Sequence, residues 1–76
     1  MQKIILYYKF VAVPDAETAM CWQRDLCKML GLKGRVIVSK HGINGTLGGK
    51  IDNVKQYIKA MNRHSLFKNI EYKWSD

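Results

Sequence analysis

Between Lys40 and Thr46 the chain reads Lys-His-Gly-Ile-Asn-Gly-Thr, gathering a cation, an imidazole, an amide and a hydroxyl around two glycines. An imidazole can serve as a general base, but it needs a nucleophile to activate and a group to orient it. Nothing in the sequence fixes either beside His41, so no catalytic residue is assigned in this chain. What Lys40, His41, Asn44 and Thr46 can do is donate to phosphate oxygens and to base edges, with glycines that let the backbone come close. The same composition also suits a β-hairpin turn, where glycine and asparagine are routine. Taken alone, the turn is the better reading.

The charge extends the first reading. The 76 residues carry a net charge of +7, unevenly placed. From Leu26 to Ile70 there are nine basic residues against one acid, Asp52, whereas Asp15, Glu17 and Asp25 outweigh Arg24 earlier. Such asymmetry favours a polyanionic partner, nucleic acid first; the competing explanation is plain solubility. Cys21 and Cys27 fall about 120° apart around one expected helix, too far to bridge, and they lack redox or zinc spacing. With His41 and His64 they make four nominal ligands that no spacing brings together, so neither metal nor cofactor is expected. Two ordinary thiols agree with a cytoplasmic address. No run approaches the roughly 20 apolar residues of a bilayer span, and the start lacks a signal-peptide pattern.

The elements that must position these residues follow from periodicity. Lys3–Val13 is rich in β-branched and aromatic residues and ends at Pro14, which predicts a strand. Its two faces are Ile4, Leu6, Tyr8, Phe10 and Ile5, Tyr7, Lys9, Val11. Because Lys9 must reach water, the first set is expected to face the core. Asp15 is the expected N-cap of a helix over residues 15–30, with Ala19, Trp22, Leu26, Met29 and Leu30 on its apolar side and Gly31 ending it. Strands are predicted at 35–39 and 43–47, joined by Lys40-His41-Gly42. Val54, Tyr57, Ile58 and Met61 mark a second buried helical stripe. Lys55, Lys59 and Arg63 form a basic stripe on that helix's solvent side, a minority candidate for phosphate contact. A last strand is predicted at 69–74.

The order β-α-β-β-α-β, with right-handed crossovers, predicts a single α+β domain over residues 1–76 with a ferredoxin-like sandwich. Two helices cover one face of a four-stranded antiparallel sheet in the order 4-1-3-2, and the other face is open. Alternation then places Tyr7 and Lys9 beside Asn44 and Thr46, with Arg35 and Ile37 next to them, if Val36 and Val38 are core. Aromatic and cationic groups on such a sheet stack single-stranded bases in RNA-recognition motifs, although the aromatic consensus of those motifs is absent. Equally, Tyr7, Ile37 and Thr46 could pack against a neighbouring domain. Acylphosphatases share the element order, but their chemistry needs an arginine in the first strand–helix loop. Here that loop is Ala12-Val13-Pro14-Asp15.

Several segments carry a resemblance. Leu6-Tyr7-Tyr8-Lys9-Phe10 with Pro14-Asp15, Leu30-Gly31-Leu32-Lys33-Gly34-Arg35, His41-Gly42-Ile43-Asn44-Gly45-Thr46-Leu47 and the closing Phe67–Asp76 resemble the N-terminal domain of the rhodanese-related tRNA uridine hydroxylases. The resemblance implies an acylphosphatase-like fold and a cytosolic enzyme that hydroxylates the wobble uridine of tRNA with molecular oxygen. It also implies that the catalytic cysteine sits in a rhodanese domain outside these residues. On that reading the chain positions tRNA through Lys9, Arg35, Lys40, His41 and Asn44, with Lys55, Lys59 and Arg63 secondary. The alternative is a scaffold that docks the rhodanese domain without touching RNA.

Overall fold

The computed structural model describes all 76 residues. Its elements run β1 (Gln2–Phe10), α1 (Ala16–Met29), β2 (Lys33–Ser39), β3 (Gly42–Lys50), α2 (Ile51–Asn62) and β4 (Lys73–Ser75). The sheet is antiparallel throughout, in the order β2-β3-β1-β4, as the element order predicts. β1 and β3 pair along their whole lengths, from Gln2 opposite Lys50 to Phe10 opposite Gly42.

The helices begin and end where local chemistry directs. The Asp15 carboxylate accepts from the Thr18 N–H at 3.0 Å and from its hydroxyl at 2.6 Å, which caps α1 and holds the carboxyl below its usual range. Ala19 and Leu26 are buried and Trp22 is half-buried, but Met29 stands exposed at the helix end. Val54, Tyr57 and Met61 of α2 are fully enclosed, with Ile58 half-buried at their flank. Lys55, Lys59 and Arg63 line its outer side.

Two expectations need correction. The first concerns the faces of β1. Ile5 and Tyr7 are buried, whereas Leu6, Tyr8 and Phe10 are exposed, the reverse of the predicted orientation. The physical reason is that Tyr7 finds hydrogen-bond partners inside and Lys9 does not have to leave the helix side to be solvated. The Tyr7 and Tyr57 hydroxyls share a hydrogen bond, and Tyr57 donates to Gln23 Oε1 at 2.6 Å. The Gln23 amide in turn lies 3.1 Å from the Met61 sulfur. Lys9 extends along the sheet margin and donates to the Lys68 carbonyl at 2.7 Å, its apolar stem covered and its charge at the rim. Tyr7 and Lys9 therefore do not belong to the open face.

The second correction concerns strand lengths. β3 continues through Gly48 and Gly49, which pair with Ile4 and Lys3, and β2 starts at Lys33. β4 shrinks to three residues, because the chain before it turns at Asn69 (φ 64°). Ile70 and Tyr72 then pack half-buried against the core instead of pairing.

Gly45 explains how the Tyr7 ring fits. The two residues are directly paired, and a Cβ at Gly45 would lie 2.8–2.9 Å from the Tyr7 ring and hydroxyl. Gly45→Ala should destabilise the fold by about 1–3 kcal/mol through overpacking, read as a lower urea midpoint with unchanged slope. A midpoint equal to the parent's would place Tyr7 elsewhere.

Burial pushes the Tyr7, Tyr57 and Tyr72 phenols above their ordinary value. Above about pH 10 the unfolded chain releases phenolic protons that the folded chain retains. Stability from this source is complete below that pH and falls as pH rises past it. Urea midpoints should decline between about pH 9 and 11, more shallowly in Tyr7→Phe.

Candidate functional site

The register lays out the open face row by row. Ile37, Asn44 and Tyr8 lie abreast, and the next row is Arg35, Thr46, Leu6 and Lys73. Beyond Tyr8, the third row is Ser39, Gly42 and Phe10, at the hairpin end. Leu6 (40%), Ile37 (47%), Tyr8 (70%) and Phe10 (84%) are all exposed to solvent. The Tyr8 and Phe10 rings meet edge to face, with centroids 5.6 Å apart. A shallow groove of about 300 Å³ runs between them and Ile37, Asn44, Ser39 and His41.

The hairpin tip is tied to the segment that follows β1. The carbonyls of Lys40 and His41 accept from the Val13 and Val11 N–H groups at 3.0 and 3.1 Å, and the His41 N–H donates to Ser39 Oγ at 3.2 Å. Gly42 takes a φ of 153°, and a Cβ there would sit 2.2 Å from the Lys9 carbonyl oxygen, so only glycine closes the turn this way. The side chains of Lys40 and His41 are left exposed at the hairpin tip, with His41 lining one end of the groove.

Of the residues predicted from sequence, the structure brings Arg35, Ile37, Asn44 and Thr46 onto the open face and places Lys40 and His41 at its end. It removes Tyr7 and Lys9 to the helix side. Lys55, Lys59 and Arg63 project from α2 behind the sheet, so they cannot share a ligand surface with Arg35 and Asn44. Leu6, Tyr8 and Phe10 belong to the face although alternation assigned them to the core, and Lys73, given no face from the sequence, joins them. The pairing of a large aromatic with a glycine, Tyr7 with Gly45, is the signal that could have oriented β1. Cys21 and Cys27 are free thiols, and burial raises that of Cys27, which weakens it as a nucleophile. No helix is long and apolar enough to cross a membrane.

The arrangement defines a class: a ferredoxin-like module with helices on one sheet face and an aromatic, basic-rimmed surface on the other. The chain belongs to the UPF0176 acylphosphatase like domain family, whose model matches residues 2–76. It is 53% identical over 74 residues to a protein of Corynebacterium diphtheriae called tRNA uridine(34) hydroxylase, covering 97% of this chain and 24% of that protein. A protein of the same name from Pseudarthrobacter chlorophenolicus is 49% identical over 76 residues, covering 100% of this chain and 26% of its own length. The chain thus spans about a quarter of the length of the curated relatives it matches.

Opposite exposures on adjacent positions make the assignment of faces testable by stability. Phe10→Ala should change the folding free energy by less than about 0.5 kcal/mol, whereas Tyr7→Ala should cost about 3–5 kcal/mol. Equal losses in urea titrations would contradict the orientation of β1.

Proposed function

We propose that this domain positions tRNA for a hydroxylase of which it forms the N-terminal part, presenting the anticodon region to a separate rhodanese domain. That domain would carry out oxygen-dependent formation of 5-hydroxyuridine, and this one contributes neither a catalytic residue nor a cofactor. The setting would be the cytoplasm. The observation that carries the reading is the solvent-exposed Tyr8–Phe10 pair on an open four-stranded sheet. Exposed aromatic rings on such a sheet are platforms for unpaired bases. Asn44, Thr46 and His41 stand beside the platform as donors and acceptors for base edges. Arg35 and Lys73 on the face and Lys40 at its end supply charge for phosphates.

Base–aromatic stacking is worth about 1–3 kcal/mol per base, so Tyr8→Ala plus Phe10→Ala should weaken binding of a tRNA anticodon stem-loop by about tenfold or more. Arg35→Ala plus Lys40→Ala should weaken it further and flatten its salt dependence. Lys55→Ala plus Lys59→Ala, a matched loss of charge on the helix side, should have a smaller effect. Fluorescence anisotropy titrations read all three, and binding indifferent to the aromatic pair overturns the proposal.

One observation favours a second reading. Leu6 and Ile37 add exposed apolar surface to the same face, which suits contact with the remainder of a longer protein. Protection of backbone amides on this face in a longer chain, with no RNA present, would support that scaffold role.

A further inference from the structure

The sheet end remote from the hairpin tip holds a second feature, a cleft of about 830 Å³. It opens where β2, β3 and β1 come together at Gly34, Gly48 and Gly49. Ile4 and Leu47 are its apolar residues, and lysine stems and glycine carbons make up much of the remaining wall. Lys3, Lys33 and Lys50 surround it. The one carboxylate among its lining residues is Asp76, which pairs with Lys3 and is held in its charged form by that contact. Lys33 and Lys50 have no ion-pair partner. Two of the three lysines at the cleft are thus free of an ion-pair partner, and the third is occupied by an internal anion.

Its position connects it to the aromatic platform. Lys33 lies two residues from Arg35 on the same face of β2, and Gly48 two residues from Thr46 on β3. From Asn44 beside Tyr8 to Gly48 the sheet advances four residues, roughly 13 Å. We infer that the cleft binds a backbone phosphate of the same RNA strand whose bases stack on Tyr8 and Phe10, which gives the open face a track with a charged anchor at its far end. The inference rests on the RNA-positioning reading for its ligand, while its residues are separate from the platform.

Oligouridylates of two and about eight nucleotides separate the two sites, because small β-domain grooves cover about four nucleotides or more. Affinity is measured by fluorescence anisotropy over a range of salt on this 76-residue chain. Lys33→Ala plus Lys50→Ala should weaken the octamer several-fold and leave the dinucleotide unchanged. It should also make the slope of log K against log salt shallower by about 0.7 per phosphate released. Asp76→Asn, which frees Lys3, should tighten the octamer. The charge-matched Lys55→Ala plus Lys59→Ala variant should weaken the octamer less than the cleft pair does. Equal losses from the two lysine pairs would reduce the effect to net charge and overturn the anchor. So would amide shifts at Gly48 and Gly49 caused by inorganic phosphate but not by the octamer, since the cleft would then serve free phosphate. If octamer binding needs Lys33 and Lys50 but not Tyr8, the anchor stands and the stacking platform fails.

Discussion

The buried hydrogen-bond chain from Tyr7 through Tyr57 to Gln23 ties β1, α2 and α1 together at the centre of the molecule. Each hydroxyl or amide in it is enclosed, and a buried polar group without a partner costs about 1–3 kcal/mol. The partners are available in one orientation of β1 only. Because side chains alternate strictly along a strand, placing Tyr7 inside places Leu6, Tyr8 and Phe10 outside. Gly45 completes the constraint from the neighbouring strand by leaving room for the Tyr7 ring. The composition of the open face is therefore a consequence of how the core satisfies its own polar atoms.

That dependence explains which parts of the molecule were legible in its sequence. Element order, sheet order and both helices follow from hydrophobic periodicity, with Asp15 and Gly31 marking the ends of α1. The orientation of β1 does not, because both of its faces are apolar and aromatic, so alternation gives no preference. Lys9 was an unreliable guide, since a long side chain at a sheet margin can satisfy its charge from the inner face, here at the Lys68 carbonyl. The burial of Gln23 is equally invisible locally. It lies between Ala19 and Leu26 on the buried face of α1, and only the arrival of Tyr57 and Met61 from α2 makes a buried amide tolerable there. The short β4 reflects Ile70 and Tyr72, whose strand-like composition is used for packing instead.

For the site, residues on β2 and β3 were readable once Val36, Val38, Ile43 and Leu47 were taken as their inward sides, where the structure places them. Arg35, Ile37, Asn44 and Thr46 follow by alternation. The basic stripe on α2 was also correctly placed on a solvent face, and the fold separates it from the sheet surface by a full layer. The cleft beside Gly34, Gly48 and Gly49 depends on register between three strands, which no single stretch of sequence encodes.

The proposed RNA-binding role and the alternative docking role draw on the same aromatic residues, and the surrounding charge favours the first. A dry protein interface over Tyr8 and Phe10 would also enclose Arg35 and Lys73, neither of which has an ion-pair partner in this chain. Burying such charges unpaired costs several kcal/mol each, so a docked domain would need carboxylates matched to both. A polynucleotide meets the same surface with a phosphate on every residue and an aromatic face on every base, and gains counterion release besides. The exposed rings stay on the sheet at some risk of edge and face association, which charged Lys33 and Arg35 on the β2 edge counteract. An apolar platform bordered by unpartnered cations, with neutralising carboxylates scarce on the same face, is complementary to a stacked anion chain before it is complementary to another protein core.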